Sequence, residues 1–176
     1  MALRWDGWNT LLTPRPPWAH LVRATARDLE VALRDGAPAN VGAVVRMLRG
    51  DRCATKRGLL QEWGAALQFP YYFGGNWDAF EECVNDLGWL PARSYVLAVT
   101  RAENLLSEGD DFVTLLHILD AAATRWAGGA GPGSDHPGLP ISLHVIFQSE
   151  QEKEAETRCR FDDVGIALGA LHLPAP

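Results

Sequence analysis

The chain predicts an α/β fold with a small parallel sheet and crossover helices. Short apolar runs at residues 18–24, 41–48, 94–100 and 141–147 have strand character. Between them lie segments whose apolar residues recur at helical spacing. Strands separated by helices cannot be joined as hairpins, so a parallel sheet with helical crossovers follows. The order is strand, helix, strand, helix, helix, strand, helix, strand and then a tail, which gives three core strands plus an extra N-terminal strand. With 176 residues, 47% of them hydrophobic, the chain suffices for one core. A domain of this size buries roughly 70% of its unfolded surface, so it needs no disulfide or metal to stand.

Taken in order, residues 1–17 hold Pro14, Pro16 and Pro17 around Arg15, which reads as an N-terminal arm whose Trp5 and Trp8 either pin it to the surface or stay exposed. Residues 18–41 form an extra strand and helix. WAHLVRA is the strand, and Thr25 with Asp28 opens a helix carrying Leu29, Ala32 and Leu33 on one face. VGAVVRML, residues 41–48, is the next strand, closed by a turn at Arg49-Gly50-Asp51. Leu59, Leu60, Trp63, Ala66 and Leu67 form a helical stripe that Pro70 ends. A helix over residues 76–87, a strand at SYVLAVT (94–100) and a helix from Asp111 to Trp126 follow. Residues 128–138 hold five glycines and two prolines. A phosphate loop needs a strand before it and Lys-Ser/Thr opening a helix after it, and here the order is reversed, so this is a linker. The strand ISLHVIF closes the domain at 147, and residues 148–176 read as a tail with an acidic run (Glu150, Glu152, Glu154, Glu156) suited to a solvated helix. Its stretch 164–173 is apolar enough to dock on the domain.

Composition excludes several functions. Cys53, Cys83 and Cys159 lie apart, without CxxC or a Cys/His cluster at zinc spacing, so neither a disulfide scaffold nor a metal site is expected. No stretch approaches the roughly 18 apolar residues of a membrane span, and residues 1–17 lack a secretory signal pattern, so a cytoplasmic protein without membrane contact is expected. The net charge of -6 is unevenly laid out. Residues 1–60 carry ten Lys/Arg against five Asp/Glu, and the remaining 116 carry six against seventeen. Such a C-terminal region disfavours nucleic acid and suits a basic partner. His20, His117, His136, His144 and His172 fall in different elements, and no HExxH, GxSxG or GxGxxG pattern is present, so no catalytic residue and no cofactor are expected. His144 in a core strand and His117 on a helix read as structural.

The segment FPYYFGGNWDAFEECVNDL, residues 69–87, carries the strongest signal. With Asn76 as N-cap, Trp77, Phe80, Cys83, Val84 and Leu87 form the core face, and Cys83 on that face is a small hydrophobe rather than a nucleophile. The other face presents Asp78, Glu81, Glu82, Asn85 and Asp86. Asp78/Glu82 and Glu82/Asp86 are like-charged i,i+4 pairs, each costing a few tenths of a kcal/mol, and no basic residue in the helix offsets them. Selection for folding alone would have placed a cation there, so an acidic contact surface is the better account. The loop before it offers Tyr71, Tyr72 and Phe73, of which Tyr72 is expected to be partly exposed and Phe73 to belong to the core. Gly74 and Gly75 admit backbone shapes closed to other residues. Apolar anchors beside charges are the usual make-up of a protein-binding hot spot.

In Pro70, Tyr72, Gly74, Asn76, Asp78, Ala79 and Cys83 at this spacing, followed by the strand at 94 and the helix at 111, the chain resembles the barstar family, small intracellular inhibitors of secreted bacterial ribonucleases. The resemblance spans roughly residues 42–147. It implies a three-stranded parallel sheet, no catalysis, and an acidic helix and loop that plug the active site of a basic ribonuclease or nuclease toxin. It further implies that Tyr72 packs on that enzyme, that Gly74 and Asn76 shape the same face, and that Asp78 and Glu82 meet the cations that grip RNA. Asp86 extends the surface, and Asp120 approximately matches a further acidic contact on the next helix. The chain departs from the pattern in having Glu at 82 where the family's dominant inhibitory carboxylate is Asp, and Glu81 where an aromatic contact stands. Three readings remain open at this point. One is an inhibitor or immunity protein directed at a bacterial nuclease. A second is a regulatory binding module of the same fold that inhibits nothing, and a remote third is a hydrolytic enzyme using Glu81 and Glu82.

Overall fold

The computed structural model describes residues 5–35, 42–131 and 138–173. Strands β1 (Ala19–Arg23), β2 (Ala43–Arg49), β3 (Ser94–Thr100), β4 (Ser142–Ser149) and β5 (Leu168–Ala170) form one parallel sheet in the order β2-β3-β4-β1-β5. The helices are α1 (Gly7–Leu11), α2 (Ala26–Asp35), α3 (Lys56–Ala66), α4 (Trp77–Asp86), α5 (Phe112–Ala127) and α6 (Glu154–Val164). The parallel α/β class agrees with the sequence reading, but the sheet has five strands rather than three core strands and one addition. β5 escapes the sequence because three residues are too few for alternation to register. β1 is not an appendage either. It sits inside the sheet, paired on one side with β4 and on the other with β5.

Strand order fixes where the helices go. The step from β1 to β2 crosses the sheet in one direction, and the steps from β2 through β5 run back. Right-handed crossovers therefore put α2 on one face and α3 to α6 on the other. The strands alternate accordingly. On β3, Val96 and Ala98 join Leu29, Ala32 and Leu33 of α2, whereas Tyr95, Leu97 and Val99 join the larger cluster under α3, α4 and α5. Every residue of β3 and β4 is buried, as a parallel sheet covered on both faces requires.

Local signals behave as the sequence indicates at most joints. Thr25 Oγ1 accepts from the Asp28 N–H at 3.1 Å to start α2, and Thr55 accepts from the Gly58 N–H to start α3. The Arg49-Gly50-Asp51 turn is a single 3-10 turn over Gly50–Arg52, in which a Cβ on Gly50 would strike the Thr100 and Arg101 carbonyls. Val41 of the expected second strand and residues 132–137 of the glycine-rich linker lie outside the described residues.

Both ends of the chain are more structured than their composition suggests. The expected arm contains α1, and Trp5, Trp8 and Leu11 are buried against the α2 face of the sheet, so the tryptophans pin it. Ser142 Oγ donates to the Leu11 carbonyl and Trp5 Nε1 to that of His172. The expected tail supplies α6 and β5. α6 is solvated along its acidic side but docks by the other: Thr157 is buried, and Phe161, only 1% exposed, lies 4.6 Å from Phe147 and 5.2 Å from Phe112. The Arg160 guanidinium lies 4.0 Å over the Phe112 ring and donates to the carbonyls of Glu103 and Leu105.

Candidate functional site

The segment between α3 and α4 is built from the inside outward. Gln68 takes a left-handed conformation (φ 54°) that turns the chain out of α3, and the Phe69 N–H bonds to the Gly64 carbonyl at 2.8 Å. Phe69 then anchors the loop. Its ring lies 4.9 Å from Phe73, 5.9 Å from Phe80 and 6.3 Å from Trp89, each edge-on. With Phe69 and Phe73 turned inward, Tyr71 and Tyr72 have nowhere to go but outward. Tyr72 is 64% exposed and Tyr71 fully so, their rings 5.6 Å apart. Tyr72 thus takes its expected place, and Tyr71, which the sequence did not single out, is the more exposed of the two. Of the two loop glycines only Gly75 has positive φ (64°). Gly74 does not, so the conformational requirement expected of both falls on Gly75.

Asn76 Oδ1 accepts from the Ala79 N–H at 2.8 Å and starts α4 as expected. Phe80, Cys83, Val84 and Leu87 are buried and Trp77 is half-buried. Burial, with Glu82 and Asp86 close by, pushes the Cys83 thiol above its ordinary range. This disfavours the thiolate a nucleophile needs. On the outer face Asp78, Glu81, Glu82 and Asp86 are all exposed. Among the described residues none of the four takes part in an ion pair. Asp78, Glu82 and Asp86 follow at i,i+4 and form a row of carboxylates repeating about every 5–6 Å, with Glu81 beside it. Asn85 belongs to this helix's own backbone, its Nδ2 donating to the Glu81 carbonyl at 2.9 Å.

Asp120 does not join this row. Trp77 Nε1 of α4 donates to Asp111 at the start of α5 (2.7 Å), and Trp18 Nε1, beside β1, donates to Asp120 Oδ1 (2.7 Å). Nine residues at about 100° each put Asp111 and Asp120 on opposite flanks of α5. The flank with Asp111 faces α4, so Asp120 faces the other way and is held by the N-terminal extension.

Other chemistry-bearing groups are occupied elsewhere. His20 and His144 are buried together, His20 Nε2 and His144 Nδ1 2.9 Å apart, with His144 Nε2 2.9 Å from the Thr13 carbonyl. Burial lowers both imidazoles below their ordinary range, His20 to about 3 with His144 adding to the effect. His144 is structural, as expected. His117, also read as structural, instead lies exposed on α5, because it falls outside that helix's buried stripe. At the C-terminal edge of the sheet Gln148 Nε2 donates to the Ala24 carbonyl and its Oε1 accepts from the Arg101 N–H, so one side chain bridges three strand ends. Among the described residues no group of His, Cys, Asp and Glu has the grouping of a metal site. No helix described is long and apolar enough to cross a membrane.

Comparison with known proteins adds two findings. A family model described as Barstar (barnase inhibitor) matches residues 43–144, from the start of β2 into β4 and across the whole loop and α4. No curated protein matches the chain. Among solved structures, the Aeropyrum pernix ORC2 protein (ADPNP-ADP complexes) superposes with a TM-score of 0.56 at 15% identity, over 89% of this chain and 40% of that one. Drosophila ORC bound to AT-rich DNA and Cdc6 gives 0.50 at 13% identity, over 98% of this chain and 54% of that one. The chain thus spans about half the length or less of these structures, and at such identity the likeness is one of fold alone.

Proposed function

The chain belongs to the barstar family, and from that premise we propose that it blocks the active site of a basic ribonuclease or nuclease toxin with the outer face of α4 and the Tyr72 loop. The observation that carries this reading is the row of Asp78, Glu82 and Asp86, exposed and without an ion pair among the described residues, beside two tyrosines held outward by Phe69 and Phe73. A ladder of negative charge is what a groove lined with Arg and Lys for an RNA backbone would accept. Carboxylates of Asp78 and Glu82 act as phosphate decoys, and each charge-assisted bond to a guanidinium is about twice as strong as a neutral one. Tyr72 covers the adjoining base-side groove and excludes water, which strengthens those bonds. Complementary charge speeds encounter, and added salt slows it.

Two residues adapt this surface to its partner. Glu82 carries its carboxylate about one C–C bond further from the helix than the family's Asp, and Glu81 puts a charge where the family has an aromatic ring. The partner is therefore a basic nuclease other than the classical extracellular ribonuclease that the family pattern serves. On this reading Asp120, bonded to Trp18 through one oxygen on the flank of α5 away from α4, lies outside the contact. Nucleotide binding, named in one of the similar structures, is not carried over. The turn between β1 and α2 has no glycine, Thr25 caps α2 itself, and Gln148 fills the gap between the strand ends.

The test is RNA cleavage by a panel of basic ribonucleases and nuclease-toxin domains, titrated with the protein at low and at physiological salt. Inhibition is expected, strongest at low salt, and weakened by about 2 kcal/mol or more in Glu82→Ala and in Asp78→Ala. Inhibition that both variants retain in full removes the decoy mechanism. RNA cleavage by the purified protein alone would instead revive an enzymatic reading.

A further inference from the structure

Beside the acidic helix, on the other side of the tyrosine loop, lies a groove of about 760 Å³ that the nuclease reading does not use. One wall is the α3 stripe of Lys56, Leu60 and Gly64, and the other is the loop with Phe69, Tyr71 and Phe73. Its size suits a peptide segment or a drug-sized molecule, and its lining is mainly apolar with charge at one end. The charge is positive, supplied by Lys56 and Arg57 on the first turn of α3. Among the described residues neither makes an ion pair, and the Lys56 ammonium rests 5.4 Å over the Trp77 ring.

Gly64 shows that the groove is not a packing remainder. It lies in the last turn of α3 without positive φ, the chain reversal being made at Gln68, so its backbone does not need glycine. A Cβ there would meet Phe69 and Phe73 at 3.5 and 3.7 Å, ordinary contact. Gly58 of the same helix is different, because a Cβ on it would collide with the Arg52 carbonyl. Alanine at 64 would fit and would favour the helix, whereas glycine leaves the floor between two phenylalanine rings open.

We propose that this groove is a second docking site, which takes a short acidic and aromatic segment of a protein partner: an aromatic side chain on the Gly64 floor between Leu60, Phe69 and Phe73, followed by a carboxylate on Lys56 and Arg57. Tyr71, fully exposed at the rim, closes over the segment. The positive charge is confined to one end of the groove, which suits a single carboxylate rather than the row of phosphates in a nucleic acid. The site does not depend on nuclease binding by α4.

The experiment titrates the full chain with an acetylated hexapeptide of alternating Glu and Trp, a Gln/Trp hexapeptide and a six-nucleotide oligothymidine, read by amide shifts in NMR. The expected result is shifts at Leu60, Gly64 and Phe73 with the Glu/Trp peptide, and binding at least tenfold weaker for the Gln/Trp one. Gly64→Ala is expected to raise Tm by about 2–4 °C while weakening the peptide at least fivefold. Arg57→Gln is expected to abolish the preference for Glu over Gln, and the Asp78→Ala/Glu82→Ala double variant to keep full peptide affinity. Equal binding of both peptides, shifts centred on α4, preference for the oligothymidine, unchanged affinity in Gly64→Ala, or no binding at millimolar peptide would each overturn the proposal.

Discussion

The buried histidine pair makes the stability of this protein depend on pH in a way that can be worked out atom by atom. The Thr13 carbonyl can only accept, so His144 Nε2 carries a hydrogen and its Nδ1 is a lone pair. That lone pair accepts from His20 Nε2–H, which leaves His20 Nδ1 buried with no partner among the described residues. Burial favours the neutral form of both rings, and a proton on His20 Nδ1 would put a charge where no described group receives it. Burial lowers His20 from 6.5 to about 3, and His144 moves the same way. A depressed folded-state value means that the unfolded chain binds the proton first. The stability is therefore complete above about pH 6.5 and is lost as pH falls toward 3. At about 1.4 kcal/mol per pH unit, acidification to pH 5 costs about 2 kcal/mol through His20, with more from His144. Urea unfolding at half-unit steps from pH 7.5 to 5 measures this. Asp and Glu held low by ion pairs, such as Glu62 beside Arg49, act only below their ordinary range and leave this window clear. A flat stability between pH 7 and 5, or ring nitrogen shifts showing imidazolium in the folded protein at pH 5, would refute the reasoning. His144→Gln keeps a donor to Thr13 and should flatten part of the slope.

Other expectations can be checked directly. Glu82→Lys should abolish nuclease inhibition yet raise thermal stability slightly, by a few tenths of a kcal/mol, because it turns two repulsive i,i+4 pairs into attractive ones. Asp120→Ala should lower stability by about 1 kcal/mol through the lost Trp18 bond, in chemical denaturation, and leave nuclease inhibition unchanged. Phe161→Ala should cost about 3–5 kcal/mol in the same assay, which a solvated tail helix would not. A thiol reagent at pH 8 should label one cysteine of three in the native protein. Cys159 is exposed, whereas Cys53, pushed up to about 12, and Cys83 are buried.

Much of the site is legible in the sequence because it is local. Asn76 as cap, the buried face of Phe80, Cys83 and Val84 and the outward row of Asp78, Glu82 and Asp86 all follow from helical spacing within one segment. Tyr71 was not legible, since in a run of Tyr-Tyr-Phe the face each ring takes depends on where Phe69 finds its partners, and those come from α4 and Trp89. The position of Asp120 relative to α4 was not legible for a similar reason. Helical phase relative to α4 is set by how α5 lies on the sheet, and alignment by composition cannot fix it. The groove under Tyr71 is equally hidden, because its two walls come from separate segments and its key residue is a glycine with no side chain to notice.

By itself, then, the sequence determined the parallel α/β class, four of the five strands and the acidic face of α4. Each of these is written in residue periodicity over a few turns, where the physics is short-ranged. Tertiary structure decided that the two ends of the chain belong to the sheet. β5 is too short to hold together alone, and α6 and α1 earn their place only by burying Phe161, Trp5 and Trp8 against strands far away in sequence. It also decided where each acid stands. That depends on which tryptophan indole reaches which carboxylate, and Trp18 and Asp120 are brought together only by folding.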